Sequence, residues 1–80
     1  MPRFVLEHRH THAECGAVFA AFNGFDSPLR HQATPGSCHY GGHRIWWEVD
    51  ADTEDEALAR LPGYVARRTA AFPVRAIVIP

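Results

Sequence analysis

The segment Ser37–Asp50 constrains the fold of this chain more than any other. Gly41-Gly42 can take positive φ at both central positions of a two-residue turn, and strand-forming residues lie on either side. After the turn, Ile45, Trp47 and Val49 occupy every second position and therefore share one face of a strand. The segment predicts a β-hairpin whose second arm has one core face and one open face.

The other segments extend this hairpin into a β-α-β-β-α-β order. Alternation over residues 3–9 predicts a first strand, and a Thr-x-x-Glu capping box at Thr11 predicts a helix over residues 11–23. A second capping box at Thr53 begins a helix in which Pro62 predicts a kink. The β-branched run Val74–Ile79 predicts the last strand. We expect a ferredoxin-like α+β sandwich, a four-stranded antiparallel sheet with the first and third strands in its centre and two helices on one face.

Composition indicates one small domain covering residues 1–80, with 46% hydrophobic residues and a formal net charge of -1. This charge gives no general attraction to nucleic acid or to a membrane surface. Because no apolar run approaches about 20 residues and no signal-peptide pattern is present, we expect a cytoplasmic protein. Two cysteines, Cys15 and Cys38, are too few for a disulfide framework, and they are predicted to be small buried core residues.

The predicted sheet has one face that no helix covers. Alternation places Val5, Trp46, Ile77 and Ile79 on that face among arginine and glutamate side chains. This much apolar surface predicts a homodimer that packs sheet to sheet and buries these four residues. A surface for single-stranded RNA would need aromatic residues on both central strands and a basic field, and only Trp46 is available.

The chain contains six histidines, an unusually high number for 80 residues. Five of them fall at the end of the first strand, at the start of the first helix or beside the hairpin turn, and a ferredoxin-like sheet would bring these places to one edge. Neutral imidazole binds nickel, zinc and copper, and three or four such ligands make a site. The predicted metal ligands are His8, His10 and His43, then His12, with Cys38 or His39 as completions. The alternative is that these imidazoles form hydrogen bonds with backbone or water.

The segment Arg3–His10 (Arg-Phe-Val-Leu-Glu-His-Arg-His) is followed by a capped helix, a tight hairpin and a terminal Val-x-x-Ile-x-Ile-Pro strand. In this order the chain resembles small ferredoxin-like proteins of the dimeric α+β barrel superfamily. Within that superfamily it is similar to small bacterial nickel-binding proteins. The resemblance implies a homodimer and a metal bound by histidines near the end of the first strand, which correspond here to His8 and His10.

We therefore expect a small homodimeric protein that binds nickel, zinc or copper at a histidine-rich sheet edge, with no nucleic-acid or membrane partner. One alternative is a small cofactor-free enzyme, in which Phe19, Phe22, Trp47 and Tyr40 line a pocket and a histidine acts as acid or base. Another alternative is a protein-interaction module in which the histidines have no ligand.

Overall fold

A three-stranded antiparallel sheet forms the centre of the computed structural model, which describes residues 2–80. Strand β1 (Arg3–Arg9) lies between β2 (Arg44–Asp50) and β3 (Thr69–Val74). The helices, in chain order, are α1 (Cys15–Ala20), α2 (Glu54–Leu58) and α3 (Gly63–Ala66), and single 3₁₀ turns span His12–Glu14 and Cys38–Tyr40. The helices α2 and α3 connect β2 to β3, which run parallel to each other on opposite sides of β1.

The hydrophobic core lies between one face of the sheet and the helices. As the alternation predicts, Ile45, Trp47 and Val49 share the covered face with Phe4 and Leu6, and all five are buried. Each helix adds buried side chains to this cluster. The buried apolar residues of the described chain are Phe4, Leu6, Val18, Ile45, Trp47, Val49, Ala51, Ala57, Leu61 and Val65.

The predicted four-stranded ferredoxin-like sheet is wrong, because the expected second strand does not form. Its residues Cys38–Tyr40 make a 3₁₀ turn instead. The outer edge of β2 pairs with the segment before that turn: the Ser37 amide donates to the Arg44 carbonyl at 2.8 Å, and the Trp46 amide donates to the Pro35 carbonyl at 3.0 Å. These bonds occupy the edge on which the fourth strand was expected. The strand β2 corresponds to the predicted third strand, which was expected in the centre of the sheet. It is instead an edge strand, flanked by the loop that contains Pro35 and Ser37.

Ser37 also closes the loop that replaces the tight hairpin. The amides of Tyr40 and Gly42 donate to its carbonyl at 3.0 and 2.9 Å, and the Arg44 amide donates to its Oγ at 3.0 Å. A Cβ built on Gly42 would lie 2.4 Å from the Ser37 Oγ. Glycine is therefore needed at position 42 because the loop packs closely on Ser37.

The predicted last strand is displaced toward the N-terminus. Strand β3 ends at Val74, which lies opposite Arg3, the first residue of β1. No further residue of β1 is available to pair with the chain after Val74, so its β-branched residues remain outside the sheet. Ile77 and Ile79 are 76% and 75% exposed.

The helices follow the predicted signals but are shorter than expected. The Thr53 Oγ accepts from the Glu56 amide at 3.1 Å, which caps α2, and the break before α3 at Pro62 confirms the expected interruption. The first helix, expected over residues 11–23, is divided into a 3₁₀ turn and α1. Within residues 2–80, the helices are all too short or too polar to cross a membrane.

Candidate metal centre

Two histidines and two cysteines meet where β1 ends and β2 begins. One ring nitrogen from each of His10 and His43 and the Sγ atoms of Cys15 and Cys38 all lie within 4.8 Å of one another. In a tetrahedral zinc site, metal–ligand distances of about 2.0–2.3 Å place the donor atoms roughly 3.3–3.8 Å apart. Only a small contraction would close these four donors around one ion, so the group could hold a metal.

The sheet holds the two histidines against each other. The His10 amide donates to the His43 carbonyl at 3.1 Å, which continues the ladder by one pair beyond Arg9 and Arg44. His43 has a φ of 50°, in the left-handed region. A non-glycine residue held there costs roughly 1–3 kcal/mol, and such residues cluster at functional sites.

The two cysteines come from the turns that face this strand end. Cys15 begins α1 and Cys38 begins the second 3₁₀ turn, and both are half-buried rather than in the core as predicted. The Cys38 Sγ lies 3.5 Å from the His10 Nε2. Burial raises the pKa of the Cys38 thiol, and the neighbouring Cys15 raises it further. Without a cation this thiol therefore keeps its proton, whereas metal coordination removes it.

His43 carries a buried nitrogen without a partner. Its Nδ1 is the one buried side-chain nitrogen or oxygen in residues 2–80 that makes no hydrogen bond. Leaving such an atom unsatisfied costs about 1–3 kcal/mol. The imidazole stands edge-on to the rings of His10 and His12, with centroids 5.3 and 5.4 Å apart. A cation bound at Nδ1 would supply the missing partner.

His8 lies behind the cluster and is fully buried. Both of its ring nitrogens are engaged: Nδ1 lies 3.0 Å from the Thr69 Oγ1, and Nε2 lies 3.0 Å from the His10 Nδ1. Burial lowers the pKa of His8, and the neighbouring His10 lowers it further; burial and His43 lower the pKa of His10. His8 therefore has no ring nitrogen free to bind a metal. It does contact His10, which belongs to the group of four possible ligands.

The structure thus gathers two of the four histidines predicted as ligands. His10 and His43 belong to the group, whereas His8 bonds to His10 from behind and His12 is an exposed residue beside His43. Of the two predicted completions, Cys38 is in the group and His39 is exposed.

Sequence reasoning missed Cys15, and a spacing pattern could have found it. The chain reads His10-x₄-Cys15 and then Cys38-x₄-His43, two His/Cys pairs with the same spacing in mirrored order. Each pair places a histidine at a strand end and a cysteine on the adjoining turn. Neither pair has the short Cys-x-x-Cys form of common zinc motifs.

Of the four residues predicted for the dimer interface, Val5 and Trp46 lie on the sheet face that the helices do not cover. The Trp46 indole nitrogen donates to the Glu7 carboxylate at 3.1 Å, and Val5 is half-buried. Ile77 and Ile79 are exposed. The homodimer itself stays a prediction.

The pocket predicted for the enzyme alternative exists in part. Phe19, Phe22 and Trp47 line a cleft of about 280 Å³. Tyr40 is 92% exposed and lies outside it. The histidine on the cleft wall is His31, an exposed residue of the long loop, and none of the clustered histidines lines it.

Comparison of the chain with protein-family models, curated proteins and solved structures gives no match. The functional assignment therefore rests on the donor set and its surroundings. Two sulfur and two imidazole donors make a set that suits a metal such as zinc.

Proposed function

We propose that the protein binds one zinc ion per chain through His10, Cys15, Cys38 and His43, and that the ion has a structural role. The convergence of four donor atoms within 4.8 Å carries the proposal. The partnerless nitrogen of His43 and the strained backbone of the same residue support it. Both features are costly in a chain that binds nothing there.

The donor types favour zinc over the other metals expected from the sequence. Nickel(II) and copper(II) prefer tetragonal sets of nitrogen and oxygen donors, whereas two thiolates and two imidazoles suit tetrahedral zinc. Four protein donors also fill a tetrahedral shell and leave no position for the water that a catalytic zinc keeps.

A zinc ion at this site would cross-link a long segment of little regular structure to the strand ends and to α1. Residues 21–43 contain only one 3₁₀ turn as regular structure, and Cys38 lies in that turn. The ion would tie Cys38 to the end of β1, the start of α1 and the approach to β2. Small domains commonly need such a cross-link because their hydrophobic core alone gives little stability.

Metal analysis of untagged protein tests the binding. We expect one zinc per chain in the parent and almost none in Cys38→Ser or His43→Ala. The matched control is His39→Ala, because His39 is an exposed histidine of the same loop, and it should keep a full zinc content. Full zinc content in Cys38→Ser, or metal-free parent protein after zinc loading and gel filtration, would refute the proposal.

Cobalt substitution tests the geometry. The Co²⁺ protein should show the intense visible bands of a tetrahedral ion and a sulfur-to-cobalt charge-transfer band. Replacing either cysteine by serine should weaken the charge-transfer band. The weak spectrum of octahedral cobalt would contradict a four-donor site.

A further inference from the structure

We propose that His8 and Thr69, neither of which is a ligand, set the position of the proton on His10 and so connect the metal centre to the corner between α3 and β3. This inference rests on the proposed zinc site. It depends on a continuous line of short contacts that runs from the Val65 carbonyl to the Cys38 sulfur.

The first step is the Thr69 hydroxyl, which fixes the proton on His8. The Thr69 Oγ1 donates its single hydrogen to the Val65 carbonyl at 2.7 Å. The His8 Nδ1 lies 3.0 Å from the same oxygen. Since the hydroxyl hydrogen is already used, the oxygen accepts from His8, and Nδ1 of His8 carries a hydrogen.

In the second step, the position of the hydrogen on His8 determines its position on His10. His8 is 0% exposed, and the half-buried carboxylate of Glu14 is paired with Arg68 at 2.9 Å, so a positive charge on the His8 imidazole would be poorly compensated. Neutral His8 with a hydrogen on Nδ1 has a lone pair on Nε2. The His10 Nδ1, 3.0 Å away, therefore donates to it.

The third step leaves the His10 Nε2 with its lone pair directed at the metal centre. This nitrogen is the one that lies 3.5 Å from the Cys38 Sγ. His10 can then bind a cation without exchanging tautomers, and its ring is held in place from behind. Because Val65 belongs to α3 and Thr69 begins β3, the corner between these elements supports the ligand.

A pair of substitutions at Thr69 tests the connection by zinc affinity, measured in competition with a chromophoric chelator. Thr69→Val keeps the shape but removes the acceptor for His8, and zinc should bind roughly ten- to a hundredfold more weakly. Thr69→Ser keeps the hydroxyl and should restore most of the affinity. Circular dichroism controls for folding. An unchanged affinity in folded Thr69→Val, or equal losses in both variants, would overturn the inference.

Nitrogen-15 NMR of the metal-free parent gives a second readout that does not depend on a stable variant. We expect a hydrogen on Nδ1 and none on Nε2 in both His8 and His10. A hydrogen on Nε2 of His10 would overturn the inference. If the tautomers are as expected but zinc does not bind, the proposed function fails alone; if zinc binds and the tautomers differ, this inference fails alone.

Discussion

A single glycine determines the path of the loop that carries Cys38. Gly42→Ala would place a Cβ 2.4 Å from the Ser37 Oγ and 2.8 Å from its Cβ. We expect a loss of about 1–3 kcal/mol in unfolding free energy and weaker zinc binding, because Ser37 anchors the turn before β2. Denaturant unfolding with and without zinc measures both effects.

Gly16→Ala is the matched control for Gly42→Ala. Gly16 lies inside α1, and a Cβ there would meet nothing within 4 Å. Alanine at such a position favours the helix by roughly 0.5–1 kcal/mol, so this variant should be at least as stable as the parent. Equal stabilities of the two alanine variants would show that the close approach at Gly42 does not matter.

At the residue scale, strand parity predicted which histidines share a side but could not rank them by depth. Parity placed His8 and His10 together, and they are in contact. The depth of His8 depends on Thr69, which is 61 positions away in sequence, and on Trp47 at 6.2 Å between ring centroids. No local pattern encodes such contacts. The spacing of Cys15 from His10 is local, but its other two partners, Cys38 and His43, lie before β2, far away in sequence.

Among the elements, the 3₁₀ turn His12–Glu14 is joined to the connection between α3 and β3 by a charged pair, Glu14 and Arg68, which predicts that stability depends on acid. The Glu14 carboxylate accepts from the Thr11 amide at 2.9 Å and from the Arg68 guanidinium at 2.9 Å. The amide first and the guanidinium second lower the pKa of Glu14 from 4.5 to about 2. A depressed folded-state pKa stabilises the fold above the unfolded-state value, and the contribution is lost as the pH falls toward the folded-state value.

Glu14→Gln should therefore unfold at lower urea concentration than the parent above pH 4.5. The difference should shrink as the pH falls and vanish near pH 2. Metal-free protein is used because metal ligands also take up protons in acid. Asp26→Asn, in the exposed long loop, is the control and should differ little from the parent at any pH. A difference between Glu14→Gln and the parent that stays constant with pH would contradict the assignment.

The elements that the sequence predicted well are those whose pattern repeats along the element itself. Period-two alternation located β1 and the core face of β2, and Pro62 located the break between α2 and α3. The hairpin and the last strand were misplaced because their boundaries depend on which residues lie opposite them in the sheet. The edge of β2 is occupied by residues near Ser37, and β3 ends where β1 begins.

For the whole molecule, the hydrophobic core is small. We therefore expect metal binding to contribute most of the cooperativity of unfolding. Ten apolar side chains of the described residues are buried, and four of them are alanine or lie in helices of four to six residues. Zinc at 100 times its dissociation constant would add about 2.7 kcal/mol to the unfolding free energy. We expect chelation to lower the melting temperature of the parent and of His39→Ala, but not that of Cys38→Ser. Equal sensitivity of all three proteins would contradict a zinc cross-link.

The uncovered side of the sheet predicts that two copies of the chain associate. Val5 and Phe72 lie opposite each other on that face, and the exposed Ile77 and Ile79 follow β3. Ile77→Asp/Ile79→Asp is the sharpest test because both side chains lie outside the sheet, so the variant should fold normally and yet be monomeric in light scattering. Tyr40→Asp is the control, since Tyr40 is 92% exposed and lies in the 3₁₀ turn before β2, on the other side of β1 from β3. A dimer that persists in the double variant, or a parent that is monomeric, would show that Ile77 and Ile79 do not join two copies.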